Sequence, residues 1–157
     1  MATLSDREII ALSRKGELVA EEFMDGSVTP NGYDLRAAIL RIDGQDLEGG
    51  TVPPKTHFLV GTLEYLKLPD DVMGQIWVRS SYARRGVLGS FGAVDAGYHG
   101  TLTLSFFHSG SEEFQINKGD RIAQIVFHRM ESVPEKTYSQ RSGNYQGSRG
   151  ITVKGSN

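Results

Sequence analysis

The sequence predicts an all-β domain, a distorted β-barrel of the jelly-roll kind with a short N-terminal helix. Short runs of alternating or continuous apolar residues are typical of strands. Each run is bounded by Gly, Pro, Asn or Asp, which favour turns. No helical pattern alternates with the runs, and this disfavours a parallel α/β sheet. The 19 glycines among 157 residues also indicate many tight turns.

The helix is expected near the N-terminus, because Ser5 and Glu8 have the spacing of a capping box. Ile9 and Leu12 then form one apolar stripe, and Gly16 follows where a glycine commonly ends a helix. The sequence therefore predicts one short helix before the strands.

Five strands are predicted after the helix, at residues 33–42, 57–68, 72–79, 101–108 and 122–129. Because side chains alternate along a strand, Leu104 and Phe106 share the aliphatic face of the fourth run and Ser105 lies on the other face. Residues 138–157 are polar and rich in glycine, which predicts a mobile C-terminal arm. No repeat or linker divides residues 1–157, so we expect a single domain.

Charge and composition exclude several classes of function. The net charge is −2, so no general positive field would hold a nucleic-acid polymer. Cysteine is absent, which excludes disulfides, thiolate zinc sites and a cysteine nucleophile. Asp6 and Glu8 interrupt the region where a signal peptide would be apolar, and no run of 18 apolar residues occurs. We expect a cytoplasmic protein that does not bind membranes.

A cluster of arginine and serine follows the third predicted strand, at residues 79–86. Guanidinium and hydroxyl groups at a strand end can hold a phosphate through charge-assisted hydrogen bonds. A solvated turn has the same composition, so the pattern alone leaves both interpretations open.

Three further segments could carry chemistry. Asp95 lies in the Gly-flanked segment 92–100, where it is either a general base or a turn residue. Gln124 lies in an apolar run, where its amide is either buried or reaches a site. Segment 142–150 could close over a nucleotide or be a disordered terminus, and it lacks the spacing of a P-loop. The four histidines have no zinc-ligand spacing.

The order of these segments resembles the family shared by trimeric dUTPases and dCTP deaminases over almost the whole chain. The five matching segments are 32–37, 79–86, 92–100, 119–124 and 143–150. The opening segment 4–9 and residues 79–84 resemble the deaminase branch of this family more than the common dUTPase branch. The sequence most resembles an archaeal-type dUTP diphosphatase.

The resemblance implies a dUTP diphosphatase that uses Mg²⁺ to convert dUTP to dUMP and pyrophosphate, which limits the incorporation of uracil into DNA. The alternative is a dCTP deaminase or a bifunctional enzyme. Deaminases of this kind have a glutamate ten residues after the aspartate of the third motif, where it transfers protons while water attacks the cytosine ring. That position is Ser105 here, and a serine hydroxyl is no base at neutral pH. A catalytically silent nucleotide-binding protein is a third hypothesis, which the intact Asp95 disfavours.

The resemblance also implies a role for each site residue. Asp95 would be the general base, Tyr98 would pack against the deoxyribose, and Asp34 would orient water on the Mg²⁺. The residues implied to contact phosphate or base are Arg79, Ser80, Ser81, Arg84, Gln124, Tyr138, Tyr145, Ser148 and Arg149. Family members are homotrimers with sites between subunits, so the arm is expected to serve a neighbour's site.

Overall fold

The computed structural model describes residues 1–155; Ser156 and Asn157, the end of the predicted arm, lie outside the described residues. Three α-helices occur within these residues, α1 (Asp6–Arg14), α2 (Ser80–Ala83) and α3 (Tyr138–Arg141), with one 3₁₀ turn at Asp25–Ser27. The strands described are β1 (Ala2–Thr3), β2 (Leu18–Glu21), β3 (Val28–Thr29), β4 (Gly32–Ile42), β5 (Gln45–Leu47), β6 (Gly49–Val52), β7 (His57–Thr62), β8 (Tyr65–Lys67), β9 (Val72–Val78), β10 (Val87–Gly89), β11 (Ala93–Val94), β12 (His99–Gly100), β13 (Thr103–His108), β14 (Phe114–Asn117) and β15 (Arg121–Arg129).

The predicted helix is confirmed as α1. The backbone N–H of Ser5 donates to the Glu8 carboxylate at 3.0 Å, as in a capping box. Ile9 is fully buried, so the apolar stripe faces the core. After the helix, Gly16 has a φ of 81°, a conformation that glycine adopts at little cost.

A curled antiparallel sheet forms most of the molecule, and the predicted all-β class is confirmed. Its principal strand order is β10-β13-β7-β4-β15-β9-β11. The smaller sheets are β12-β8-β2 and β14-β6. This order places β4, β15 and β9 side by side, while β13 pairs with β7 on the other side of β4.

The predicted run 57–68 is divided into β7 and β8. Glu64 lies between them and is fully buried, and its carboxylate accepts hydrogen bonds from the backbone and side chain of Arg36 at 2.9 and 2.8 Å. A buried carboxylate requires such partners, and the chain turns where Glu64 meets β4. The other four predicted strands correspond to β4, β9, β13 and β15.

One hydrophobic cluster joins the elements from α1 to β15. Phe58 and Phe106 stack within it with ring centroids 5.1 Å apart. Each fully buried large apolar side chain contributes about 1.5–3 kcal/mol. Leu104 is also buried whereas Ser105 lies on the opposite face of β13, as the alternation predicts. Among residues 1–155, no helix has the length and apolar character needed to cross a membrane.

Candidate active site

A cavity of about 550 Å³ lies between the turn after β11, strands β7 and β13, and the C-terminal segment. It brings together five predicted site residues from two separate regions of the sequence: Asp95, Tyr98, Tyr138, Tyr145 and Ser148. The cavity is also lined by Ser105, which occupies the position where the resemblance implies a glutamate in a deaminase.

Asp95 occupies the turn that follows β11. Strand β11 pairs with β9, and the turn is closed by a hydrogen bond from the backbone of Tyr98 to the carbonyl of Asp95 at 3.1 Å. Gly97 has a φ of 79° in this turn, a conformation that L-residues with a Cβ rarely adopt. The carboxylate of Asp95 is exposed at the cavity, where it can contact both water and a ligand.

Tyr98 forms a fixed wall of the cavity. Its hydroxyl donates to the carbonyl of Thr101 at 2.7 Å, and burial raises the pKa of Tyr98 to about 12, so the phenol is neutral near pH 7. Tyr138 meets the ring edge-on, with centroids 5.5 Å apart. A Cβ on Gly100 would lie 2.5 Å from the Tyr98 hydroxyl, so this position requires a glycine.

The C-terminal segment lies against its own chain in this structure, and the expectation that it serves a neighbour's site stays a prediction. The backbone of Thr101 donates to the carbonyl of Ser148 at 2.9 Å, and that of Thr152 donates to the Thr103 hydroxyl at 2.9 Å. The side chain of Gln146 accepts from the backbone of His99 at 2.9 Å and donates to the carbonyl of Gly97 at 3.0 Å. These bonds hold the segment across β12 and the start of β13. We keep the name arm for residues 138–155.

The cavity suits the uncharged part of a nucleotide. Among the described residues that line it, none is Lys, Arg or His, and Asp95 is the one carboxylate. Apolar side chains such as Leu59 and Val94 lie beside the tyrosines. A neutral ring and sugar can be accommodated there, whereas a triphosphate would require positive charge that these residues do not supply.

A second group of residues, on β4, at the end of β9, around α2 and on β15, carries positive charge. We call it the arginine cluster, and its members are Asp34, Arg79, Ser80, Ser81, Arg84, Arg121 and Gln124. Asp34 is buried on β4, and its carboxylate lies 3.1 Å from Arg79 Nε and 3.9 Å from Arg121 Nη1. Gln124 stands opposite Asp34 in the pairing of β15 with β4. The contacts of Asp34 with Arg79 and Arg121 hold both guanidinium groups near the end of β9.

Ser80, Ser81 and Arg84 of the arginine cluster are exposed, and Gln124 is half-buried. Ser80 and Ser81 begin the short helix α2, and Arg84 follows it. Gln124 donates from its amide to the Thr29 hydroxyl at 3.1 Å. Three guanidinium groups against one carboxylate leave the cluster net positive, which suits an anionic ligand.

The structure thus divides the predicted site residues into two groups within one chain. No residue of the arginine cluster belongs to the described lining of the cavity. Arg149 lies in neither group, because its guanidinium forms two hydrogen bonds with Glu21, at 2.9 and 2.7 Å, and lies 4.4 Å from the centre of the Tyr65 ring. In this conformation Glu21 holds the Arg149 guanidinium, and the contact of Arg149 with phosphate stays a prediction.

In the described part of the chain, the acidic side chains do not gather into a set that could hold Mg²⁺ without a ligand. Within residues 1–155, no group of three or more His, Cys, Asp or Glu side chains could hold a metal ion. The carboxylate of Asp34 is already paired with two arginines, whereas Mg²⁺ in proteins prefers several oxygen ligands.

Two residues of interest were not predicted. Arg121 contacts Asp34, and its position three residues before Gln124 in segment 119–124 is a signal that could have identified it. His57 lies 2.9 Å from the Ser105 hydroxyl through its Nε2 atom. Forty-eight residues separate His57 from Ser105, so no local pattern joins them.

Solved structures with similar folds define the class of protein. The 2'-deoxycytidine 5'-triphosphate deaminase of Agrobacterium tumefaciens superposes with a TM-score of 0.70 at 24% identity, over 81% of this chain and 47% of that chain. The chain thus spans about half the length of that protein. The dUTPase of phage phi11 of Staphylococcus aureus, described with a structural Mg(II) ion, superposes with a TM-score of 0.54 at 21% identity, over 69% of this chain and 83% of that one. The fold is that of dUTPases and dCTP deaminases.

Sequence comparison gives the family within that class. The family model for dCTP deaminase-like proteins matches residues 39–130. The dCTP deaminase of Thermococcus kodakarensis is 45% identical over 143 residues, which cover 87% of this chain and 90% of that protein. The dUMP-forming dCTP deaminase of Aquifex aeolicus is 35% identical over 167 residues, which cover 94% and 91%. The chain belongs to the dUTPase and dCTP deaminase family, and it is an enzyme of nucleotide metabolism.

Proposed function

We propose that the enzyme is a dUTP diphosphatase, which hydrolyses dUTP to dUMP and pyrophosphate. The observation that carries this proposal is the single carboxylate, Asp95, beside a cavity lined by neutral groups. Such a cavity supports binding of the nucleoside, and one exposed carboxylate suffices as a general base for water. The position of the deaminase glutamate holds Ser105 instead.

In the proposed reaction, Asp95 accepts a proton from a water molecule as its oxygen attacks the α-phosphorus. The bond from the α-phosphorus to the bridging oxygen breaks, and pyrophosphate leaves with the electron pair of that bond. The proton on Asp95 passes to solvent, which the exposure of this side chain permits. Tyr98 would limit the space beside the deoxyribose, since its ring is buried and fixed by the bond to Thr101.

The arginine cluster would bind the triphosphate. Arg84, Ser80 and Ser81 are exposed, and Arg79 is oriented by Asp34. Because this cluster and the cavity share no residue in one chain, we propose that a homotrimer brings the cavity of one subunit to the arginine cluster of the next. Magnesium would enter as part of the substrate, the complex of Mg²⁺ with dUTP.

The arm would complete the nucleoside site from its own chain. Tyr138 and Tyr145 line the cavity and are joined by a hydrogen bond from the backbone of Tyr145 to the hydroxyl of Tyr138 at 3.1 Å. Their rings would cover the base, and Ser148 would approach the phosphates. Arg149 would reach phosphate only by leaving Glu21, and their exposed ion pair is weak enough for a polyanion to displace.

Deamination of dCTP is the second candidate, and the names of the curated relatives favour it over hydrolysis of dUTP. The dUMP-forming relative also makes a combined activity a specific possibility for this chain. Against it, removal of the amino group requires proton transfer beside the ring, and Ser105 supplies no carboxylate for that step.

The deciding experiment supplies dUTP and dCTP separately with MgCl₂ and measures pyrophosphate and ammonia. Our proposal expects pyrophosphate from dUTP and no ammonia from dCTP. Ammonia released as fast as pyrophosphate would establish the second candidate instead. Binding of both nucleotides without turnover of either would identify a silent nucleotide-binding protein. A parallel reaction without enzyme corrects for spontaneous loss of either product.

A further inference from the structure

Ser105 places a hydroxyl group in the cavity. Whether this hydroxyl donates or accepts depends on His57, which lies outside the cavity lining. Its Oγ lies 2.9 Å from Nε2 of His57, and Ser105 lines the cavity whereas His57 is exposed on β7. In the pairing of β13 with β7, Leu59 stands opposite Ser105 and His57 opposite Phe107. Ser105 and His57 are therefore diagonal neighbours on one face, a spacing at which side chains interact.

Two other cavity hydroxyls have their protons engaged within the chain. Tyr98 donates to the carbonyl of Thr101 at 2.7 Å, and Ser148 donates to that of Tyr145 at 2.6 Å. The proton of Ser105 has no such fixed acceptor, because its direction depends on which form of His57 it meets.

The direction of the hydrogen bond between His57 and Ser105 depends on the form of the His57 ring. The protonated ring and the neutral ring with hydrogen on Nε2 both donate to the Ser105 oxygen, and the neutral ring with hydrogen on Nδ1 alone accepts. In the two donating forms, Ser105 receives a hydrogen bond from His57 and keeps its own proton for the cavity. The cavity then presents a donor at this point of β13.

We propose that His57 and Ser105 select the base: they favour a pyrimidine with a carbonyl oxygen, over one with an amino group, at the ring position that faces β13. A carbonyl accepts the Ser105 proton, whereas an amino group could only donate to the remaining lone pair of the Ser105 oxygen and would leave the Ser105 proton without an acceptor. Ser105 is thus a specificity-determining residue and His57 a positioning residue. This inference rests on the proposed function, in that the cavity holds the base of a pyrimidine nucleotide.

The test measures binding rather than turnover. Dissociation constants for the non-hydrolysable α,β-imido analogues of dUTP and dCTP are determined by calorimetry for the wild type, Ser105→Ala, His57→Phe and His57→Gln. We expect the wild type to prefer the dUTP analogue, and Ser105→Ala and His57→Phe each to lower that preference about five- to tenfold. His57→Gln should keep the preference, because its amide can donate in place of Nε2.

The double variant of Ser105→Ala with His57→Phe should lose no more selectivity than either single variant, since the two residues act as one unit. Ser111→Ala, at an exposed serine in the turn before β14, is the matched control and should leave the preference unchanged. The proposed base selection would be overturned if the variants bound both analogues more weakly by the same factor. It would also be overturned if Ser105→Ala left the ratio of the two dissociation constants unchanged.

The outcomes also separate this inference from the proposed function. Selective binding that is lost in the variants, together with an absence of dUTP hydrolysis, would refute the diphosphatase and support the proposed base selection. If dUTP is hydrolysed and all variants keep the same preference for the dUTP analogue, the proposed base selection is refuted and the diphosphatase is not. Absence of binding to either analogue would overturn both.

Discussion

Asp95 is the residue on which the proposed chemistry depends, because it is the one carboxylate among the described cavity residues. Its Gly-flanked sequence predicted either a base or a turn residue, and the structure places it in a turn that faces the cavity. Asp95→Asn keeps the size and removes the base, so we expect dUTP turnover to fall by about 10²–10⁴-fold with little change in binding. Pyrophosphate release and calorimetry measure the two effects.

The matched control is Asp43→Asn, which changes an exposed aspartate with a positive φ in the turn after β4. Asparagine tolerates that conformation, and the control should retain full turnover. An Asp95→Asn variant as active as this control would show that Asp95 is a turn residue without a role in the chemistry.

The burial and the ion pair of Glu64 could not be predicted from the sequence. Glu64 lies within a run that predicts one continuous strand, yet it is fully buried and paired with Arg36 at 2.8 Å. Glu64→Gln leaves the guanidinium without its charge partner, and we expect a loss of about 3 kcal/mol in the free energy of unfolding. Chemical denaturation measures this loss.

The exposed pair of Glu48 with Lys118, at 3.0 Å, supplies the comparison. Glu48→Gln should cost less than about 1 kcal/mol, because solvent screens this pair. Equal losses of unfolding free energy in the two variants would show that burial does not make the Glu64 ion pair more important for stability than an exposed pair.

At the scale of elements, the long strands were predictable and the short ones were not. β4, β9, β13 and β15 carry enough apolar residues for their period to be visible in the sequence. β6, with its two glycines, and β10 have weak local signals, and partners distant in sequence determine their pairing. The arm shows the same limit, since its composition predicted a mobile segment and gave no signal for the hydrogen bonds that it makes to β12 and β13.

Gln146 is the main side-chain anchor of the arm, through its two bonds to the turn and strand around Tyr98. Gln146→Ala should loosen the arm over the cavity, and we expect KM for dUTP to rise several-fold while the fold is kept. Steady-state kinetics and the rate of proteolysis within residues 142–150 measure these effects. Gln75→Ala, at an exposed position on β9, is the control, and no difference between the two variants would exclude an anchoring role.

At the scale of the whole molecule, the order of five motifs predicted a set of site residues, but not how one chain distributes them. The cavity collects the third and fifth motifs, and the arginine cluster collects the first, second and fourth. This division follows from sheet pairing, which places β4, β15 and β9 together and leaves the arm on β12 and β13. A site completed between subunits follows from this division if the proposed function holds.

Mixed oligomers test that arrangement. Asp95→Asn has a defective cavity and Arg84→Ala a defective arginine cluster, and we expect each variant alone to hydrolyse dUTP poorly. After exchange of equal amounts of subunits, an intact cavity meets an intact cluster at about one quarter of the sites, so activity should recover to about that fraction of the wild type. Native mass spectrometry verifies that subunits have exchanged.

A second mixture determines which subunit the arm serves. Chains that lack residues from 142 onward are combined with Asp95→Asn chains under the same conditions. Because the arm lies over the cavity of its own chain, no site in this mixture has both Asp95 and an arm, and we expect no recovery. Recovery here would show that the arm crosses to a neighbour, whereas exchange without recovery in the Arg84→Ala mixture would refute a site shared between cavity and cluster.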